Sequence, residues 1–295
     1  MKKISNYIPS VILCVLLIIG LLGTSALIVA DVRMTPEKTI DLAQREEIDE
    51  KSYAAIEKYY KEKASATGIP SDVFIGSITK EYVRDVIDSQ IEATYRVFES
   101  GRAYSHASIP NPELEASIEK FFNDYADKTN YPKDEKFETK LKETKAQAYK
   151  TINSNCDIFK IDSMQSHGLL SKISKFYRRK TTLTVIAAVF DALMIGLLLL
   201  VNRRKRDVLY WIGISAAISG IIGLIPAIHL VRTRYYDSFS IKQPQVFAAY
   251  TKMLYSLTNT FIRVQVLLLI SGAVFIVLYA LCCRFFKGKI AENQK

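Results

Sequence analysis

The chain consists of polar segments separated by four long apolar runs. These runs cover residues 8–30, 182–201, 208–231 and 262–283, and each is close to the ~20 residues that a helix needs to cross a bilayer. The pattern therefore predicts a polytopic membrane protein of the all-α class with four transmembrane helices.

The polar segment after the first run carries the residues that begin helices. Thr35, Thr79, Asn111 and Asp134 are all suited to cap a helix N-terminus, and apolar positions at helical spacing follow each of them. The helix after Thr35 is expected to continue to Ala66. Together these helices predict an α-helical bundle of about 145 residues, which is long enough to bury a core of its own.

Aromatic side chains at helical spacing are expected to supply the core of this bundle. A ligand pocket or peptide groove is the less favoured interpretation of the same residues. The aromatic residues concerned are Tyr53, Tyr59, Tyr60, Tyr82, Tyr95, Phe98, Phe121 and Phe122.

These patterns divide the chain into five predicted segments. A further helix is expected to run from about Leu169 directly into the second span. An amphipathic helix in the third polar segment is expected to lie on the outer leaflet or against the bundle. The segments are 1–30 with the first span, 31–180 with the helical domain, 181–231 with the second and third spans, 232–261 with the amphipathic loop, and 262–295 with the fourth span and tail.

Charge predicts the orientation of these segments. The chain carries a net charge of +10, yet residues 31–174 contain 26 acidic and 21 basic side chains, so the excess of positive charge lies beside the spans and does not indicate nucleic-acid binding. Basic residues in short loops stay in the cytoplasm. They precede the first span, fill the turn 203–206, and follow the fourth span: Lys2, Lys3, Arg203, Arg204, Lys205, Arg206, Arg284, Lys287 and Lys289.

Both termini are therefore predicted to be cytoplasmic, and the helical domain and the loop 232–261 extracytoplasmic. Arg178, Arg179 and Lys180 lie at the opposite end of the second span and run against this rule, and we expect them to meet lipid phosphates. Only one cysteine, Cys156, lies in the large polar segment, and the chain has no glycosylation sequon. These features favour a bacterial plasma membrane.

No sequence motif for catalysis, for a cofactor or for a metal is present. The histidines His106, His167 and His229, together with Cys156, fall in segments predicted to be on one side of the membrane, but their spacing matches no metal-site motif. We therefore expect a protein that is not an enzyme, with neither catalytic residues nor a bound cofactor or metal.

Asp191 is the most informative single residue of the spans. It lies near the middle of the second span, where an ionised carboxylate costs at least ~2.5 kcal/mol, so it is expected to face protein, water or a partner. Ser215 and Ser219 in the third span are candidates to donate a hydrogen bond to it, and Gly220 and Gly223 are expected to let helices pack closely. A packing role, a contact with a partner subunit and a role in proton or ion movement all remain open.

The order of one span, a large polar segment and three further spans resembles, in topology only, the four-helix permease subunits that work with a cytoplasmic ATPase. The helical domain also resembles the sensor modules of bacterial receptors. Neither resemblance rests on a sequence motif, so no family is assigned. The first hypothesis is a binding, sensing or scaffold subunit that contacts the lipid bilayer and another membrane or envelope protein. The alternative is a permease or transporter subunit that uses Asp191.

Overall fold

The computed structural model describes residues 7–101 and 109–292. These ranges exclude Lys2, Lys3 and His106, and the side chains of residues 285–292, including Lys287 and Lys289, also lie outside the described part. The described residues form helices connected by short turns, and no strand occurs among them. The predicted all-α class is therefore confirmed for this part of the chain.

Eleven α-helices are found in the described residues, with one short 3-10 helix at Tyr235–Ser238. The α-helices are α1 (Tyr7–Arg33), α2 (Pro36–Arg45), α3 (Ile48–Thr67), α4 (Asp72–Ile75), α5 (Lys80–Ser100), α6 (Pro112–Thr129), α7 (Glu135–Cys156), α8 (Ile161–Ser166), α9 (Leu169–Val201), α10 (Lys205–Arg232) and α11 (Pro244–Glu292).

Four of these helices are long and apolar enough to cross a membrane. They are α1, α9, α10 and the part of α11 up to Arg284, and each contains one of the predicted runs. This confirms the prediction of four candidate membrane-spanning helices. Both α9 and α11 begin well before their apolar runs, so the predicted continuation of the helix from Leu169 into the second span is also confirmed.

The chain divides into two compact units. The described part of Met1–Met34, Arg179–Ser238 and Leu254–Lys295 forms the first, here called the span unit. Thr35–Arg178 and Phe239–Met253 form the second, here called the α2–α8 unit.

Residues 244–261 belong to the same continuous helix as the fourth span, because no proline or glycine interrupts the sequence from 245 to 271.

The predicted helix starts of the α2–α8 unit are confirmed at each of the four caps. The side chains of Thr35, Thr79, Asn111 and Asp134 each accept a hydrogen bond from a backbone N–H in the first turn of the helix that follows. Gly101 ends α5 with a positive φ of 68°, a conformation that glycine adopts without steric cost.

The prediction of one unbroken helix from Thr35 to Ala66 is wrong. The chain turns at Glu47, which has a left-handed φ of 52°, and this separates α2 from α3. The Lys51 ammonium donates to the carbonyl oxygens of Glu46 and Glu47, at 2.5 and 3.4 Å, and so stabilises the turn between the two helices.

The core of the α2–α8 unit is mainly aliphatic. Its most deeply buried side chains come from α3, α5, α6, α7 and α8: Ile48, Ile56, Val83, Val86, Ile91, Leu114, Ile118, Ile152 and Ile161. Of the eight aromatic residues predicted to form the core, Tyr60, Tyr95 and Phe98 are buried. The prediction is wrong for the other five, which are only half-buried because branched aliphatic side chains of the same helices fill the interior: Tyr53, Tyr59, Tyr82, Phe121 and Phe122.

Candidate functional site

Polar side chains connect α1 to the other spans inside the span unit. Asp191 of α9 is 7% exposed, and the Thr24 hydroxyl of α1 donates to its Oδ2 atom at 2.7 Å. A Cβ atom built on Gly20 of α1 would overlap Asp191 Oδ1, so the absence of a side chain at Gly20 makes room for the carboxylate. Oδ1 is buried and has no hydrogen-bond partner among the described residues.

The donor to Asp191 is therefore a threonine of the first span, and neither of the two candidate serines of the third span. Ser215 is fully buried against α1 instead, where its Oγ lies 2.9 Å from Cys14 Sγ. Ser219 is also fully buried, and its Oγ has no partner in the described part of the chain. The reason lies in helix pairing, because α10 packs against α1 and Ser215 accordingly meets Cys14.

Gln265 is a second intramembrane link, which the sequence analysis did not identify. It lies in α11, is fully buried, and donates from Nε2 to Ser25 Oγ of α1 at 2.6 Å. Its side chain lies against Gly223, where a Cβ would come within 2.6 Å of the Gln265 side-chain carbon Cδ. A glutamine inside an apolar run was the available signal, since an amide in a membrane needs a partner.

Glycines bring α10 and α11 into backbone contact. A Cβ on Gly220 would lie 2.9 Å from the Gln265 carbonyl oxygen, and one on Gly213 would lie 2.9 Å from the Gly272 carbonyl oxygen. In the reverse direction, a Cβ on Gly272 would lie 2.5 Å from Ala217 N. Such close approach of two backbones is the geometry that small residues permit in membranes.

Lys180 lies at the start of the second span, and its environment corrects the prediction that it meets lipid phosphates. The residue is 8% exposed, and its Nζ donates to the Met34 carbonyl oxygen at 2.8 Å. Asp31 Oδ1 lies 3.9 Å from the same ammonium, and Asp31 also accepts hydrogen bonds from Thr181 and Thr184. Groups of the span unit therefore satisfy this charge.

The α2–α8 unit contains an open cavity of about 590 Å³ between α3, α4 and α7, here called the main groove. The Tyr60 and Phe74 rings stack in its floor, with centroids 4.3 Å apart and planes 9° from parallel, and Tyr59 meets Tyr60 edge to face at 5.4 Å. Burial raises the pKa of the Tyr60 hydroxyl above its ordinary value.

Charged side chains form the rim of the main groove. Lys63 of α3 and Lys140, Glu143 and Lys150 of α7 line it. Lys140 pairs with Glu143 at 2.8 Å. The ammonium groups of Lys63 and Lys150 make no ion pair or hydrogen bond with any side chain or backbone group in the described ranges. Sequence periodicity identified Tyr59 and Tyr60, with the core as the favoured interpretation and a pocket as the alternative, and Tyr60 is indeed buried. It missed Phe74 because α4 has only four residues.

A second feature of this unit is a cluster of one exposed and two half-buried rings on α6, here called the aromatic patch and defined as Tyr125, Phe121 and Phe122. The Phe121 ring lies 6.1 Å from that of Phe122 and 6.5 Å from that of Tyr125. Tyr125 is 57% exposed, whereas Leu114 and Ile118 on the same helix are buried in the core. The helix thus exposes the Tyr125 ring in addition to burying an aliphatic face.

The described residues contain no group of three or more His, Cys, Asp or Glu side chains placed to hold a metal ion. His167 is exposed at the end of α8, where its Nδ1 lies 2.7 Å from the Ser163 carbonyl oxygen, and His229 lies in α10. Cys156 is fully buried at the end of α7, and this burial raises the pKa of its thiol. None of these three side chains belongs to a group that could hold a metal ion in the described part of the chain.

No protein-family model, no curated protein and no solved structure shows significant similarity to this chain.

Proposed function

We propose that this protein is a non-enzymatic, multi-pass membrane protein that acts as a binding, sensing or scaffold subunit through its α2–α8 unit. We place it in a bacterial plasma membrane, with both termini in the cytoplasm and the α2–α8 unit outside. The basic turn at 203–206 supports this orientation, because short basic loops resist translocation.

The aromatic patch is the observation that carries the proposal. The exposed Tyr125 ring beside the two half-buried phenylalanine rings leaves apolar surface in water, and Tyr and Phe side chains are enriched where proteins bind each other. Tyr125 in particular combines a large apolar ring with a hydroxyl group that can pair at a wet interface. The patch therefore suits a protein partner that covers α6.

The span unit has an anchoring and positioning role in this proposal. The hydrogen bonds from Thr24 to Asp191 and from Gln265 to Ser25 tie α1 to α9 and α11. Such bonds contribute roughly 0.6 kcal/mol each in a membrane. They favour a packing role for Asp191 over a partner contact within the spans.

Site-specific photo-crosslinking in native membranes tests the proposal. The full chain would carry p-benzoylphenylalanine in place of Tyr125, and the matched control would carry it in place of Lys142, an exposed residue of α7 outside the patch. We expect one discrete adduct from position 125 and none from 142. We also expect Tyr125→Ser to lower recovery of that partner by about tenfold. The absence of an adduct, or equal adducts at both positions, would contradict the proposal.

A permease or transporter subunit is the second candidate, and the buried, unpartnered Oδ1 atom of Asp191 favours it. An oxygen atom without a hydrogen bond can take up a proton, and intramembrane carboxylates commonly mark proton or ion pathways. In this case the purified protein in liposomes would carry a proton-coupled flux, and Asp191→Asn would abolish the flux without unfolding the chain. A wild-type protein without flux rules this candidate out.

A further inference from the structure

The rim of the main groove carries a net positive charge, whereas the segment around it carries a net negative charge. Residues 31–174 carry more acidic than basic side chains, yet the charged groups on the groove rim are three lysines and one glutamate. Lys140 and Glu143 pair with each other, which leaves Lys63 and Lys150 as ammonium groups without an ionic partner in the described ranges. The local positive charge therefore does not follow from the composition of this segment.

The floor of the groove has a different chemistry from the rim. Tyr60 and Phe74 are only 6% and 7% exposed, so their stacked rings are held by packing. Ala146 and Ala148 of α7 contribute small side chains to the lining, which leaves space beside the rings. An aromatic floor suits a flat apolar body, which gains contact area and ring stacking when it is removed from water.

We propose that the main groove is a binding site for a small aromatic anion, such as an aryl carboxylate or an aryl sulfonate. Its ring system contacts Tyr59, Tyr60 and Phe74, and its acidic group lies at the rim with Lys63 and Lys150. The cavity volume of 590 Å³ is within the range of small-molecule sites. This site goes beyond the proposed function, since it lies on α3, α4 and α7, whereas the aromatic patch lies on α6.

Isothermal titration calorimetry of the full chain in phosphatidylcholine nanodiscs tests the site, and empty nanodiscs serve as the blank. The probes are naphthalene-2-sulfonate and its neutral counterpart 2-naphthalenemethanol. We expect the sulfonate to bind at least about tenfold more tightly than the alcohol, and this preference to shrink as the salt concentration rises.

Two pairs of substitutions assign the preference to the groove. Lys63→Gln with Lys150→Gln is expected to weaken sulfonate binding by roughly tenfold and to leave alcohol binding unchanged. The control, Lys136→Gln with Lys142→Gln, removes the same charge from exposed positions of α7 that do not line the groove, and it should change neither affinity.

Ala146→Phe, at an exposed lining position, should fill the groove and abolish binding of both probes. Three results would each overturn the inference: no binding of the sulfonate by the wild-type chain, equal binding of the two probes, or an unchanged sulfonate affinity in the Lys63 and Lys150 variant. Crosslinking at Tyr125 is read out separately, so a failure of this site is distinguishable from a failure of the proposed function.

Discussion

At the scale of single residues, the Asp191 carboxylate occupies the space that a side chain at Gly20 would take. A methyl group there would overlap Asp191 Oδ1, and the Phe190 ring lies 3.1 Å from the same position. We expect Gly20→Ala to destabilise the protein by about 1–3 kcal/mol through overpacking. Thermal unfolding in detergent measures this change.

Gly23, three residues further along the same helix, is the matched control for that substitution. Its Cβ position has no atom within 4 Å, so Gly23→Ala should leave stability unchanged or raise it slightly. Combining Gly20→Ala with Asp191→Ala should recover most of the loss, because the overlapping carboxylate is gone. Equal effects of the two alanine substitutions would contradict the geometry.

Asp88 in α5 gives a prediction about pH. Burial raises the pKa of its carboxyl above the ordinary value of 3.8, against the opposing effect of the hydrogen bond from Gln44. The folded state therefore binds this proton more readily than the unfolded state does. Ionised Asp88 destabilises the folded state at neutral pH, and this destabilisation disappears as the pH falls towards 3.8.

Asp88→Asn removes the titrating group and can still accept the hydrogen bond from Gln44. We expect the stability of the wild-type chain relative to this variant to increase as the pH is lowered from about 7 to about 4. Thermal unfolding of both proteins across this range measures the difference in their stability. The other carboxylates titrate alike in the two proteins, so their contribution cancels in this difference. A pH-independent difference would show that the pKa of Asp88 is not raised.

At the scale of secondary-structure elements, the pair formed by α10 and α11 depends on glycine. The Cβ of an alanine at Gly272 would lie 2.5 Å from Ala217 N and 2.6 Å from the Gly213 carbonyl oxygen, so the helices would have to separate. Gly272→Ala is expected to cost about 1–3 kcal/mol. Gly196→Ala in α9, where no atom lies within 4 Å, is the control and should not lower the unfolding temperature.

At the scale of the whole molecule, the proposed orientation predicts which loops are accessible from outside the cell. With Cys282 and Cys283 replaced by serine, a cysteine at Tyr131 should react with a membrane-impermeant maleimide in intact cells. A cysteine at Arg204 should react only after lysis. Both positions are exposed, so burial does not explain a difference between them. The reverse pattern would invert the proposed topology.

The sequence alone determined the features that depend on neighbouring residues. Apolar runs of membrane-spanning length, and cap residues such as Thr79 and Asn111, identified the spans and the helix starts, because hydropathy and capping act within one turn or one helix. Glu47 shows the limit of local reasoning, since no proline or glycine marks the break between α2 and α3.

Only the tertiary structure decided which polar groups meet and where rings are exposed. Thr24 and Asp191 are 167 residues apart in the chain, and Ser25 and Gln265 are 240 apart, so no periodicity within one helix relates them. The main groove likewise combines side chains of α3, α4 and α7. A tyrosine or a lysine in one of these helices could have many roles, and only the packing of the helices selects one of them. Helix periodicity determines which side chains share one face of a helix, whereas tertiary packing determines which other helix covers that face.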